Sequence, residues 1–250
     1  MFPAIRGWTD VERTPHANVR LGAVLAFVAG AANAGGFLAV GQYTSHMTGV
    51  LSSVADNLVL GQLTLVVSAI GALLAFLCGA MTTAILVNWG LRRGLRSAYG
   101  LPLMLESAAL LVFGLAGASI DGFTTLFLPL TVVLLCFIMG LQNAVITKIS
   151  RAEIRTTHVT GLVTDIGIEL GKLLYVNARD DSAPVLANRQ RLRIHVLLVA
   201  CFFAGGLFGA IGFKFVGFVT TVPLAIALWL LSLRPLLHDL SKRLPMPDAK

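Results

Sequence analysis

The sequence predicts an all-α integral membrane protein. It has six transmembrane helices forming a 3+3 inverted repeat, with a short half-helix after the first and fourth. Three observations carry that prediction. Apolar runs of about twenty residues recur along a 250-residue chain that is 56% hydrophobic and only 12% charged, about half the charge of a soluble domain. Lys and Arg fall almost entirely on one side of those runs. One unusual polar hexamer occurs twice, as "TSHMTG" (Thr44–Gly49) and "TTHVTG" (Thr156–Gly161).

The spans follow in order. After an N-terminal segment, 1–20, the apolar runs are Leu21–Val40, Leu63–Val87, Leu101–Ala118, Thr124–Ile146, Ile194–Phe213 and Phe215–Leu233, followed by a tail, 234–250. The first run follows a polar, Arg-containing lead and is long enough to remain as a membrane helix rather than be removed as a signal peptide. Residues 21–118 form the first three-helix repeat and 124–233 the second. Between them lies a short outer turn, 119–123, with Asp121 as a turn residue. The stretch 176–193, rich in Asp, Asn and Arg, is a solvated loop within the second repeat.

With the N-terminus inside, every one of the 19 Lys and Arg residues except Lys214 lies in a cytoplasmic segment. That asymmetry places both termini in the cytoplasm and makes the lipid bilayer the chain's first partner. It also accounts for the net charge of +7 without nucleic acid, since no basic stripe is interleaved with aromatics. Cys78, Cys136 and Cys201 each sit in an apolar run without a CxxC spacing, as small buried hydrophobes do.

The hexamers define the repeat. His46 and His158 are 112 residues apart, and the match extends to both sides. Asn33-Ala34 pairs with Asn143-Ala144 upstream. Phe76 and Gly79 pair with Phe202 and Gly205 downstream, and Gly209 adds a small-xxx-small face for close helix approach. Three spans reverse the chain's direction, so the second unit lies upside down relative to the first. After each hexamer comes a helical stretch of about a dozen residues, roughly 20 Å long. It is too short to span, so it lies at the interface or re-enters. In the first copy Ser52, Ser53, Asp56 and Asn57 make one polar face. In the second, Asp165, Glu169 and Lys172 share a face as a solvated, ion-paired stripe, Asp165 standing closest to the hexamer and being equally a site residue.

Chemistry concentrates at the breaks. His46 and His158 can cap the helix start, donate across to the other repeat, coordinate a metal, or carry a proton. Thr48 and Thr160 are placed to cap a helix start, and Gly49 and Gly161 permit close approach. Asn33 and Asn143, the latter beside Gln142, brace the helices or line a path. Glu106 reaches the interface, pairs with an arginine such as Arg96, or couples protons as an intramembrane acid. Two histidines do not hold a metal without further ligands such as Asp165, so no metal and no other cofactor is expected. Nor is an enzyme: no nucleophile elbow, P-loop, HExxH or paired catalytic carboxylates occur, and the glycines of "GAANAGG" lie inside a span. The expected function is a membrane transporter or channel for a small solute or ion, with its pathway where the repeats meet. Six spans are few for alternating access, which brings in a channel or a homodimer. The alternative is a non-transporting structural or regulatory partner whose motifs only brace helix breaks.

The two stretches "AGAANAGGFLAVGQYTSHMTGVLSSVADNLVLG" and "MGLQNAVITKISRAEIRTTHVTGLVTDIGIELGK" resemble the YoaK family of bacterial membrane proteins, over about residues 20 to 235. The resemblance implies about six helices and a bacterial cytoplasmic (inner) membrane location, in a family of unassigned activity. Many members have Asp where this chain has Asn33, and Asn where it has Val50. A proton carried by that Asp has no carrier at Asn33.

Overall fold

The computed structural model describes residues 8–41, 43–118, 124–177 and 183–243. The turn at 119–123 with Asp121, the middle of the loop 176–193 and the end of the tail lie outside the described residues. The elements are α1 (Pro15–Val40), α2 (Met47–Val59), α3 (Leu63–Arg92), α4 (Gly100–Ala118), α5 (Thr124–Ile149), α6 (Val159–Leu174), α7 (Arg189–Phe215), a 3-10 turn (Gly217–Thr220) and α8 (Thr221–Arg243). Among the described residues there is no strand.

Five helices, α1, α3, α5, α7 and α8, are long and apolar enough to cross a membrane, as a multi-pass membrane protein requires. The remaining predicted span, the third, is α4; it has 19 residues, about 28 Å at 1.5 Å per residue, and so just undershoots a hydrocarbon core of about 30 Å. Several helices overrun their apolar runs because capping, not apolarity, sets a helix end. Thr14 caps α1, its hydroxyl accepting from the Ala17 N–H at 3.3 Å, with a proline in the first turn, where its missing N–H costs nothing. Gly41, at φ +72°, ends α1 by donating its N–H to Phe37 O at 2.8 Å. Asn188 starts α7 by accepting from the Arg191 N–H at 3.0 Å.

The centre of the bundle is α1 and α5, while α3 and α7 flank them. Leu74, Leu77 and Ile85 on α3 and Phe203, Leu207 and Ile211 on α7 are exposed, an arrangement that costs nothing when the surroundings are lipid. Cys136 is buried as expected, but Cys78 is exposed on α3 and Cys201 is half-buried. These side chains share the outward surface of helices that contribute only one stripe to the core.

Two crossings hold the bundle, and both are glycine contacts. Where α1 meets α7, a Cβ on Gly30 would lie 2.0 Å from Phe202 O and one on Gly205 would lie 1.9 Å from Phe27 O. Where α5 meets α3, a Cβ on Gly140 or on Gly79 would lie 2.1 Å from Phe76 O or Phe137 O respectively. Backbone therefore rests on backbone at each crossing. Thr83 Oγ1 donates to Leu141 O at 3.0 Å, and the Gln142 amide donates to Leu25 O. The third pair is α4 with α8, joined by Ser107 Oγ to Ala225 O (2.7 Å) and Thr221 Oγ1 to Leu110 O (3.0 Å).

One end of the bundle is stitched by polar contacts. Thr9 Oγ1 donates to Leu231 O at 2.9 Å. Arg13 donates to Ile149 O at 2.9 Å and stacks on Tyr99 at 4.4 Å. Asp239 accepts from Ser97 N and Oγ (2.8 and 2.6 Å) and from Arg96 N (3.1 Å). The starts of α1 and α4 and the end parts of α5 and α8 thus lie together at one end of the bundle. Glu106 does not pair with Arg96. It is fully buried with no hydrogen-bond partner at either oxygen, while Arg96 stands 3.8 Å from Glu12.

Candidate functional site

Each hexamer folds back along the long helix that precedes it. Ser45 donates from both its N–H (3.2 Å) and its hydroxyl (3.0 Å) to Asn33 Oδ1. Asn33 lies seven residues before the end of α1, so the chain has returned by about 10 Å before α2 begins. The second copy repeats the latch: Thr157 Oγ1 donates to Asn143 Oδ1 at 2.5 Å, and Asn143 Nδ2 donates to Met139 O at 2.8 Å. The asparagines brace the breaks, and both also line the cavity described below. The first residue of each hexamer, Thr44 or Thr156, is buried beneath the turn.

The cap residues are the histidines, not the threonines. α2 starts after His46 and α6 after His158, and neither start carries a side-chain cap hydrogen bond. Thr48 and Thr160 fall inside the first turn because the histidine backbone already supplies the first helical acceptor, through Val50 N–H to His46 O (3.0 Å) and Leu162 N–H to His158 O (3.1 Å). The orphan N–H groups of both first turns are left without a side-chain cap. The glycines make room for the histidines themselves: a Cβ on Gly49 would lie 2.2 Å from His46 Cδ2, and one on Gly161 would lie 2.2 Å from His158 Cδ2. Each imidazole lies over its own helix start.

Between the hexamers is a cavity of about 860 Å³, lined from the first copy by Ser45, His46 and Thr48 and from the second by Thr157, His158 and Thr160. Phe76 and Phe202, the paired aromatics of the Phe-x-x-Gly pattern, also line it. Arg155, His158 and Thr160 line a second space as well, a vestibule of about 1080 Å³ that also takes in His16, Asp165 and His195. Gly161 borders only the vestibule and Gly49 neither space; Glu106 lines neither.

Asp165 belongs to a cluster. Its Oδ2 accepts from Arg191 at 3.1 Å and stands 3.7 Å from His195 Nδ1. Among the described residues no three His, Cys, Asp or Glu side chains group as a metal site needs. Arg155, Arg191, His16 and His195 were not singled out in the sequence. Only the position of Arg155, immediately before the hexamer, was a usable signal.

The predicted solvated stripe on α6 is corrected at Glu169, which is buried. Its carboxylate accepts from Lys172 Nζ at 2.8 Å and from the N–H of Asn188, the α7 cap, at 2.6 Å. The Lys172 hydrogen bond, joined by that of the Asn188 N–H, holds its carboxyl pKa below the usual glutamate range against the opposing effect of desolvation. A depressed folded value stabilises above the unfolded value of about 4.3 and loses that contribution as pH falls through the folded one. Glu169→Gln is therefore expected to lower the melting temperature at pH 7, with the gap to wild type closing in acid. An equal gap at pH 7 and at pH 3 would contradict this.

No curated protein and no solved structure matches the chain. A family model described as "Protein of unknown function (DUF1275)" matches residues 21–233, in agreement with the YoaK-like motifs, and the chain belongs to that family.

Proposed function

We propose that the protein is a membrane transporter or channel for a small solute or ion, built as a six-span 3+3 inverted repeat. In this reading it sits in the bacterial cytoplasmic membrane with both termini in the cytoplasm, alone or as a homodimer, and it has no catalytic step. The observation that carries the reading is the cavity lined by both hexamers, which shares Arg155, His158 and Thr160 as lining with the adjacent vestibule. Interrupted helices whose free ends meet around a cavity are the recurrent construction of membrane pathways. The paired glycine crossings and the paired asparagine latches support the repeat: Gly30 answers to Gly140, Gly79 to Gly205 and Asn33 to Asn143.

In this reading His46 and His158 contact the solute, Thr48 and Thr160 offer hydroxyls, and the asparagines hold the breaks open. The test is flux in liposomes containing the purified full chain, across a panel of small ions and neutral solutes. His46→Ala and His158→Ala are each expected to lower flux by about an order of magnitude, the scale of one lost polar contact to a charged ligand. Flux unchanged by both substitutions in folded protein would leave the hexamers as braces only.

A further inference from the structure

Resting on the pathway reading above, we propose that the solute is a small oxyanion: a carboxylate, sulfate or phosphate. The cavity between the hexamers admits one charged side chain, Arg155, and no Asp or Glu. Among the described residues Arg155 makes no ion pair, and it is exposed and lines this cavity as well as the vestibule. A guanidinium standing alone in a cavity presents a planar fork of N–H donors, which matches two oxygens of a carboxylate, sulfate or phosphate.

The remaining donors point the same way. Met47 and Thr48 of the first turn of α2, and Val159 and Thr160 of the first turn of α6, line the same cavity. Neither helix start has a side-chain cap, and each carries the positive end of its dipole. His46 and His158, lying over those starts, add ring N–H groups, while Ser45 and Thr157 are already committed to the asparagines. A cation would meet no carboxylate here, and a neutral solute would leave the arginine unmatched.

The vestibule extends the same field. Arg151, Arg155 and Arg191 line it against Glu153 and Asp165, and Asp165 is already spent on Arg191. His195, only 5% exposed, borders this space with its Nδ1 turned toward Asp165 at 3.7 Å. The approach to the cavity is thus net positive and ends on an arginine, the arrangement that concentrates anions in a narrow cleft.

The experiment uses the purified full chain and two readouts. The first is liposome flux of sulfate, phosphate, acetate, chloride, sodium, potassium and glycerol. The second is thermal stabilisation in detergent by sulfate, phosphate or acetate, with chloride at matched ionic strength as the control. Wild type is expected to pass at least one oxyanion in preference to sodium, potassium and glycerol, and to be stabilised by it beyond chloride. Arg155→Gln should weaken both by about tenfold or more, with Arg155→Lys falling between. Flux of sodium, potassium or glycerol with no oxyanion preference would overturn the anion assignment and leave the pathway standing. Oxyanion stabilisation that depends on Arg155, without flux of any solute, would do the reverse. Neither stabilisation nor flux would overturn both.

Discussion

Gly205→Ala drives α1 and α7 apart and is expected to yield a protein that melts far below wild type. The reason is geometric. The new methyl would sit 1.9 Å from the Phe27 carbonyl oxygen and 2.8 Å from Phe27 Cα, and neither atom is the end of a flexible side chain. The helices must separate, which removes packing along the whole crossing and costs at least the 1–3 kcal/mol, roughly, of ordinary overpacking. Gly79→Ala faces the Phe137 carbonyl in the same way and should be equally harmful. Gly71 in α3 has nothing within 4 Å of its would-be Cβ, so Gly71→Ala keeps only the gain in helix propensity, up to about 1 kcal/mol. The check is melting temperature in one detergent for all three variants. Equal stability of Gly205→Ala and Gly71→Ala would refute the account of the crossings.

Asp239→Ala is expected to cost about 2–4 kcal/mol in unfolding free energy. Asp239 near the end of α8 gathers two consecutive backbone N–H groups and the Ser97 hydroxyl. Ser97 in turn accepts from the Gly100 and Leu101 N–H groups with its carbonyl (2.8 and 3.0 Å), starting α4. Removing the carboxylate leaves these donors unmet and loosens the α3–α4 turn. Asp239→Asn should be intermediate, because the amide keeps one acceptor but turns an NH2 toward donors. Glu12→Ala is the control: its 3.8 Å contact with Arg96 is exposed and contributes little. Denaturant unfolding that shows Asp239→Ala no weaker than Glu12→Ala would remove the claim.

How much of this was legible in the residues depends on which force set each feature. The long helices were, because apolar runs report the thickness of hydrocarbon. Their ends were not, because Thr14 and Asn188 fix them by local hydrogen bonds outside those runs. The hexamers, the asparagine pair and the Phe-x-x-Gly pair were visible as repetition, and all three meet at the cavity. The residue types left two candidates for each cap, the threonine that a helix start ordinarily favours and the histidine two residues before it, and the histidine takes the position. Here the chain must clear the asparagine latch first, and the helix starts one turn-edge earlier. Glu169 looked solvated because its second partner, the Asn188 N–H, lies 19 residues onward across a loop. Arg155 and His195 escaped for a related reason. Nothing in a one-dimensional pattern says that a loop arginine and a histidine on α7 face the same space.

The glycine crossings also bear on how the chain is made. The central helix of each half finds its backbone partner in the other half: α1 against α7, α5 against α3. As the polypeptide leaves the ribosome, α1 enters the membrane well over a hundred residues before α7 exists. Until then its glycine seam faces lipid, and it must be sheltered by the insertion machinery or tolerate loose company. Synthesis is therefore committed late. The second of these crossings closes only when α7, the fourth of the five long helices, arrives, and a chain truncated before it leaves the glycine seam of its first helix without that partner.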